Sequence, residues 1–356
     1  MKTKIEFVRP LDMRARRWTG GMVRKRWCAL VAGAIICFVL LISNASTVYT
    51  LLGKLFLPKT PLDIAPFEAL FQMEQIDLKI NDTEFSYNMS IPVDPNQCNG
   101  VEVVVYTMTL GDEKSFERRE TVREVLRRTT NRSIIFRFFL GKSDDLNLTI
   151  LIPEVQKYND IVYYDHKDTY RENYAKWYTI NEYHLRHCPN VTHVIKMDHD
   201  VAVDYGRFFE WLDLDFGGLL TNHTEYFLCQ EMRGYKPYRK LGDRWYISWD
   251  EYPRRWWPNY CYGYFVLTTT ETIASVQHGM RDISLVHMDD AFITGIVRKN
   301  LSIPIINWHG IFSQPEHVSY ENCDLLDTIH SFFVVHNVTH RELAKGWIED
   351  MRTLEC

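Results

Sequence analysis

At the centre of the chain stands the sequence Val194-Ile195-Lys196-Met197-Asp198-His199-Asp200-Val201. Its first half has the composition of a β-strand, and two carboxylates separated by one residue follow. Because alternate residues of a strand share a face, Asp198 and Asp200 are expected to point together into the space beyond the strand. Open α/β sheets bind ligands at that edge, and a hard divalent cation relieves the repulsion between paired acids. The motif therefore predicts a metal ion on the diphosphate of a nucleotide-sugar, with a solvated pair of turn acids as the alternative.

Strand and helix patterns alternate along the chain before this motif. The apolar patterns predict strands over residues 101–106, 134–140, 160–164 and 193–198, and helices over 117–128, 153–158 and 171–187. This rhythm predicts an α/β fold with a mainly parallel sheet and helices on both faces. The paired acids fall at the end of the fourth predicted strand, where such a sheet presents a nucleotide site.

The amino-terminal segment predicts a membrane anchor. Nine lysines and arginines among the first 26 residues face only two acids, and an apolar stretch over 27–52 has the length of a membrane-spanning helix. The basic flank should stay cytosolic. We therefore expect a cytosolic tail over 1–26, a transmembrane signal anchor over 27–52 and a lumenal remainder. A signal peptide cleaved near Ser43-Asn44-Ala45 is the alternative.

The remaining sequence is predicted to hold a stem over 53–98 and a catalytic domain over 99–356. The stem prediction rests on prolines and on weak periodicity: Pro58, Pro61, Pro66, Pro92 and Pro95. Eight Asn-x-Ser/Thr sequons in the body and six cysteines beyond the anchor indicate an oxidising, glycosylating compartment. Those six cysteines allow up to three disulfides, whose pairing spacing does not reveal.

A series of motifs from residue 119 onward resembles one known family. The series comprises 119–126, 138–141, Asp198-His199-Asp200, 289–295 and Val335-His336-Asn337. In order and spacing these resemble the inverting β-1,3-galactosyltransferases and β-1,3-N-acetylglucosaminyltransferases, glycosyltransferase family 31. The resemblance runs from about Arg119 to the carboxyl terminus. It implies a GT-A fold, a Golgi type II membrane protein, and transfer of galactose or N-acetylglucosamine from a UDP-sugar to a glycan on protein or lipid, forming a β-1,3 linkage.

The resemblance also implies roles for acidic residues and one histidine. Asp200 and His336 are expected to bind Mn²⁺, with His309 as the competing histidine. Asp198 is expected to orient the ribose or to support the metal through water, and His199 should point the other way without a role. Asp290 is the expected catalytic base of an inverting transfer. The alternative for Asp289-Asp290 is a pair of acids at the start of the helix over 291–297, and both interpretations can hold, with Asp289 as the cap and Asp290 as the base.

Basic residues complete the predicted site. Lys176, Arg119 and Arg123 are candidates for binding the diphosphate and uridine. A loop near residue 245 mixes cations and aromatics and is expected to form an acceptor-sugar wall: Tyr235, Tyr238, Arg239, Lys240, Arg244, Trp245, Trp249, Arg254, Arg255, Trp256 and Trp257. The chain has a net charge of -5, and with its predicted compartment this argues against a nucleic-acid partner.

Departures from the family pattern keep two other interpretations open. The family's tryptophan is replaced by Leu126, one glycine by Tyr262 and the central acid by His199. These changes motivate a non-catalytic glycan-binding or chaperone-like relative. A phosphatase of the Asp-x-Asp type is disfavoured, because that chemistry wants threonine or valine where Ala202 stands.

Overall fold

The computed structural model describes residues 62–91, 94, 96–130, 132–313, 333–338 and 346. The predicted cytosolic tail (1–26) and signal anchor (27–52) lie outside these residues. Within the described part of the chain, every helix is too short or too polar to cross a bilayer.

A nine-stranded sheet in the order β1-β2-β5-β4-β3-β6-β9-β8-β10 forms the centre of the fold, and a small sheet β11-β12-β7 lies beside it. Strands β5, β4, β3 and β6 are parallel neighbours, whereas β9 runs antiparallel to both β6 and β8. The mainly parallel sheet predicted from the strand–helix rhythm is confirmed. The strands are β1 (Met73–Ile80), β2 (Thr83–Ser90), β3 (Val103–Met108), β4 (Ile134–Lys142), β5 (Ile161–Lys167), β6 (His193–Asp198), β7 (Ala202–Val203), β8 (Phe227–Met232), β9 (Tyr260–Thr269), β10 (Ile305–Asn307), β11 (Ile311–Phe312) and β12 (Val334–Val335).

Helices cover both faces of the large sheet. The longer ones are α1 (Glu113–Thr129), α2 (Leu148–Tyr158), α3 (Asn173–His187), α4 (Tyr205–Asp213) and α5 (Thr270–Gly279). Short turns of helix occur at Ala65–Glu68, Tyr170–Glu172, Asp215–Gly218, Met280–Asp282 and Arg298–Asn300, and a π-helical segment spans Ala291–Val297.

Strand β3 shows why helices are needed on both sides of the sheet. All its residues are buried: Val104 and Tyr106 pack into the core under α3 and α5, whereas Val103 and Val105 pack into the core under α1, α2 and α4. A strand that is apolar on both faces requires cover on both faces.

The predicted stem over 53–98 needs correction. Residues 73–90 form the hairpin β1–β2, and β2 pairs antiparallel with β5 through Met89 and Tyr164. Ile76, Leu78 and Ile80 are fully buried and alternate with exposed residues along β1. This alternation is the sequence signal of a half-buried strand, so the folded body begins well before residue 99.

Two disulfides identify the partners of four of the six cysteines beyond the predicted anchor. Cys98, just after the hairpin, is bonded to Cys188 at the end of α3. Cys229 of β8 is bonded to Cys261 of the neighbouring strand β9. The remaining two cysteines of the body, Cys323 and Cys356, lie outside the described residues.

Candidate active site

The small sheet brings two distant segments together after β6. Val335 of β12 pairs with Ala202 of β7, and the Val338 N–H donates to the Asp200 carbonyl over 3.0 Å. As a result, His336 Nε2 lies 3.4 Å from Asp200 Oδ1. The imidazole of His336 also stacks on Tyr264, with 4.5 Å between ring centres.

This contact favours the ionised form of Asp200. Burial by itself raises the pKa of Asp200, but the hydrogen bond from His336 and the charge of Arg118 help to lower it to about 2. The two side chains expected to bind the metal ion are therefore neighbours, and one of them is a carboxylate held in its charged form.

Arg118 is a site residue that the sequence analysis missed. Its Nη1 lies 2.6 Å from His199 Nε2 and 4.0 Å from Asp200 Oδ2. The Nε of Arg118 is buried and has no hydrogen-bond partner among the described residues. A guanidinium with unused donors beside the predicted metal ligands is suited to bind phosphate oxygens.

His199 orients this arginine, although no role was expected for it. Burial, and then the charge of Arg118, lower the pKa of His199 to about 3. The neutral ring therefore accepts from Arg118 at Nε2, and its Nδ1–H faces Thr109 Oγ1 at 2.8 Å. Through these two contacts His199 links α1 to the end of β3.

Asp198 lies with Lys196 on the face of the sheet covered by α3. Lys196 Nζ donates to Asp198 Oδ1 over 3.0 Å and to the Gly263 carbonyl over 2.6 Å. The ammonium group also lies 4.6 Å from the ring centre of Trp177. The Asp198 side chain remains 38% exposed, so it can meet a ligand while Lys196 balances its charge.

Asp290 approaches the same edge from the far side of β9. A Cβ added to Gly263 would lie 2.9 Å from the Asp290 Cβ, so the absence of a side chain at 263 permits the contact. Asp290 Oδ1 accepts from the Ala291 N–H over 2.7 Å, so Asp290, and not Asp289 as predicted, stands at the N-cap of the π-helical segment. Burial, and then the neighbouring charge of Asp289, raise the pKa of Asp290 to about 7.

Strand β9 links the acids near residue 200 to those near residue 290. Tyr262 lies 6.1 Å from His336 between ring centres, and Gly263 contacts Asp290. The charges of Lys196 and Asp198 both act on the pKa of Asp290. The predicted metal-binding pair and the predicted base therefore border the same three residues of β9.

Arg119 and Arg123 form an ion-pair network with Glu154, and Arg119 Nη1 also donates to Thr109 Oγ1 over 3.2 Å. Arg119 is fully buried, and its Nε and Nη2 donate to the two oxygens of Glu154 over 2.8 and 2.7 Å. Arg123 donates to Glu154 over 2.7 Å and also binds Asp160. These contacts join α1 to α2, and a direct contact of either arginine with a nucleotide stays a prediction.

Lys176 is likewise occupied by protein partners. Its Nζ lies 2.8 Å from Asp168 Oδ1 and donates to the Thr109 carbonyl over 2.7 Å. Because Thr109 also contacts His199, Lys176 helps to fix the loop behind Arg118. Nucleotide binding by Lys176 stays a prediction.

The aromatic and basic loop over 233–259 divides into buried and exposed parts. Trp257 is buried and stacks on Tyr252 with 4.3 Å between ring centres, so it belongs to the core. Trp249 and Trp256 are exposed, as are Tyr235 and Tyr238. Arg239 donates to four backbone carbonyls and holds the loop together.

The donor set at Asp200 and His336 suits a divalent cation that also binds substrate. Carboxylate and imidazole are ligands that manganese accepts. Within the described ranges no group of three or more histidine, cysteine, aspartate or glutamate side chains forms a candidate metal cluster. A cation here would take its other ligands from a diphosphate and water, as such ions do in nucleotide enzymes. His309, the competing candidate, contacts Trp308.

Comparison with known proteins agrees with this geometry. The sequence profile of the galactosyltransferase family matches residues 117–309. The chain is 29% identical over 217 residues to human beta-1,3-galactosyltransferase 2, covering 59% of this chain and 49% of the relative. It is 26% identical over 227 residues to human UDP-GalNAc:beta-1,3-N-acetylgalactosaminyltransferase 1, covering 62% and 65%.

A third relative is named for the transfer of a different sugar, N-acetylglucosamine. The mouse acetylgalactosaminyl-O-glycosyl-glycoprotein beta-1,3-N-acetylglucosaminyltransferase is 23% identical over 210 residues, covering 56% of this chain and 52% of the relative. The chain thus spans about half to two thirds of the length of these curated relatives.

Proposed function

Because this chain belongs to the galactosyltransferase family, we propose that it transfers a hexose from a UDP-sugar to a glycan hydroxyl, with inversion at C1 and formation of a β-1,3 linkage. The observation that supports the proposal is that His336 contacts Asp200 and stacks on Tyr264 of β9, while Asp290 contacts the adjacent Gly263. Galactose and N-acetylglucosamine remain the candidate donor sugars, and the names of relatives add N-acetylgalactosamine.

The donor diphosphate is proposed to bind beside Arg118, Asp200 and His336. The unpartnered donors of Arg118 supply hydrogen bonds to phosphate oxygens. Asp200 and His336 would hold Mn²⁺, which when bound neutralises charge on the leaving diphosphate. Asp198, partly exposed and balanced by Lys196, is placed to accept from the ribose. This division of roles corresponds to a GT-A nucleotide site at the carboxyl edge of the sheet.

Asp290 is proposed as the general base. The acceptor hydroxyl oxygen attacks C1, the bond from C1 to the diphosphate oxygen breaks, and UDP leaves with the electron pair. The hydroxyl proton passes to the Asp290 carboxylate. A base with a pKa of about 7 combines ionisation at neutral pH with a strong affinity for the proton. The close approach of Gly263 gives this carboxylate its position.

We also propose that the protein is a single-pass type II protein of the Golgi membrane, with its catalytic body in the lumen. The apolar stretch over 27–52 with its basic flank supports the topology. The disulfides Cys98–Cys188 and Cys229–Cys261 support an oxidising compartment. Glycans on protein or lipid are the proposed acceptors.

A donor panel tests the proposal. The purified full-length chain would be incubated with UDP-galactose, UDP-N-acetylglucosamine or UDP-N-acetylgalactosamine, Mn²⁺ and simple β-linked acceptors. We expect one donor to give a β-1,3-linked product, transfer to stop with a chelator, and Asp200→Asn to be inactive. Folded protein that binds no UDP by calorimetry would instead favour a non-catalytic relative.

A further inference from the structure

Arg244 is held between two aromatic rings next to the proposed site. Its guanidinium carbon lies 4.3 Å from the ring centre of Trp245 and 5.2 Å from that of Tyr170. Such stacking fixes the plane of the guanidinium and leaves its N–H donors at the edge free. Among the described residues, Arg244 has neither a hydrogen-bond acceptor nor a carboxylate partner for these donors.

Three other arginines of this region donate to protein groups, whereas Arg255 contacts a single ring, that of Trp256 at 5.8 Å from its centre. Arg239 donates its N–H groups to backbone carbonyls within the same loop, and Arg171 contacts Glu251 and His287. Arg233 pairs with Glu231. Arg244 therefore differs from these arginines in being oriented by rings and left without an anion.

The position of Arg244 relates it to the proposed base. Burial, and then the charges of Asp289 and Asp290, raise the pKa of Tyr170, while Arg244 opposes this shift. Burial, and then the charge of Asp290, likewise raise the pKa of Tyr262, and the charge of Arg244 lowers it. Arg244 lies 5.2 Å from the ring centre of Tyr170, and the charge of Asp290 acts on the same tyrosine, so both groups border Tyr170.

The loop around Arg244 carries an excess of positive charge. Residues 233–259 contain seven arginines and lysines against three acids, in a chain whose net charge is -5. One of the three acids, Glu251, is paired with His287. A strongly basic loop on an acidic protein creates a positive potential that attracts anions.

Exposed rings in this loop supply the complementary apolar surface. Tyr238 lies 5.4 Å from Trp245 between ring centres, and about half of its surface is exposed. Tyr170 is also exposed. Flat apolar faces beside an oriented guanidinium match a sugar ring that carries an acidic substituent, because the C–H face packs on the ring and the acid meets the cation.

We propose that this surface selects an anionic glycan acceptor, whose carboxylate or sulfate group binds Arg244 while the neighbouring sugar hydroxyl faces Asp290. The inference rests on the proposed transferase function and adds to it the class of acceptor. Arg244 acts as a specificity-determining residue and takes no part in proton transfer.

An anionic membrane surface is the rival occupant, since exposed tryptophans and cations also suit lipid headgroups. The observations favour the glycan. Leu241, Trp249 and Trp256 are exposed and have the composition of a lipid contact, but Arg244 lies between Trp245 and Tyr170. Tyr170 is also within the electrostatic range of Asp289 and Asp290, which favours an occupant at the proposed site of transfer.

The test compares matched acceptors on the full-length chain. Three β-linked oligosaccharides would be used that differ only in one residue: a glucuronic acid, a sulfated glucose or a neutral glucose. We expect wild type to have a KM about 10- to 100-fold lower for one of the acidic acceptors than for the neutral one, as for a charge-assisted hydrogen bond. The acid that gives the lower KM identifies carboxylate or sulfate as the natural group.

Arg244→Gln is the decisive variant and Lys299→Gln its control. Arg244→Gln should raise the KM for the preferred acidic acceptor to that of the neutral acceptor, leaving kcat and the KM for the donor unchanged. Lys299→Gln removes one exposed charge outside this loop and should change neither KM by more than about twofold. An equal effect of both variants, or no preference for an acidic acceptor in wild type, overturns the proposal.

Direct binding separates this inference from the proposed transferase activity. Quenching of tryptophan fluorescence by the same oligosaccharides, and calorimetry with UDP, need no turnover. Arg244-dependent binding of an acidic oligosaccharide without transfer or UDP binding would refute the transferase function alone. UDP binding and transfer without an acidic preference would refute the acceptor class alone. Loss of binding to phosphatidylserine vesicles in Arg244→Gln, with acceptor KM values unchanged, assigns the surface to the membrane instead.

Discussion

Replacing Asp290 by asparagine should make the folded protein more stable at pH 8 while greatly slowing transfer. Burial, and then Asp289, raise the pKa of Asp290 from 3.8 to about 7. A group whose pKa is raised by folding stabilises the native state below its unfolded pKa. That contribution is lost as the pH rises from about 4 through 7. The ionised carboxylate at pH 8 therefore costs stability, and asparagine removes this cost.

The size of the effect follows from the shift. About 1.4 kcal/mol per pKa unit sets a ceiling of roughly 4 kcal/mol for Asp290. Asp289 shares the cost, because its pKa is also raised, first by burial. Partial exposure of Asp290 lowers the figure further. We expect a gain of about 1–2 kcal/mol at pH 8 and a smaller one at pH 5.

Thermal unfolding of the purified protein measures this prediction. A gain of that size raises Tm by about 2–8 °C for a domain of a few hundred residues. The exposed Asp282→Asn, also one charge fewer, serves as the control and should leave Tm unchanged at both pH values. A Tm gain of equal size at pH 5 and pH 8, or a fall in Tm at pH 8, refutes the reasoning.

Three further outcomes are expected. Glu154→Ala leaves the fully buried Arg119 without its partner and should lower the free energy of unfolding by about 3–5 kcal/mol in urea denaturation. Arg118→Gln removes the proposed phosphate donor and should weaken UDP binding about tenfold by calorimetry, with Tm unchanged. His336→Ala removes one of two proposed metal ligands and should raise the Mn²⁺ concentration needed for half-maximal UDP binding by at least about tenfold.

Matched variants control these measurements. Arg127 lies on the same helix as Arg118, but its side chain is mostly exposed. The Arg127→Gln protein should therefore bind UDP normally. The exposed Glu210→Ala should leave urea denaturation unchanged. A Glu154→Ala protein as stable as wild type contradicts the structural role of its network. Normal UDP affinity in Arg118→Gln contradicts the phosphate role of that arginine.

Local patterns predicted much of the fold. The strand over 193–198 has the predicted bounds, and the alternation of strands and helices along residues 103–198 matches the expected order. These elements have strong periodicity and are apolar on one or both faces. The hairpin over 73–90 was missed because the surrounding prolines suggested a stem, although Ile76, Leu78 and Ile80 alternate clearly.

The candidate site was predicted less completely. The family resemblance named Asp200, His336 and Asp290; the structure shows Asp200 in contact with His336, and Asp290 in contact with Gly263 of β9. Arg118 was missed because its importance comes from a contact with His199, 81 positions away. No local spacing encodes such a contact, and a charged helix residue has the same pattern whether it faces solvent or a ligand.

The central claim is that Asp290 serves the chemical step at a UDP site built by other residues. The most direct measurement is UDP affinity and transfer rate on the same preparation of Asp290→Asn. We predict a wild-type calorimetric affinity for UDP in Mn²⁺ together with a rate reduced by about 10²–10⁴-fold, the usual contribution of general base catalysis. Transfer at the wild-type rate by Asp290→Asn, with UDP bound normally, would contradict the account.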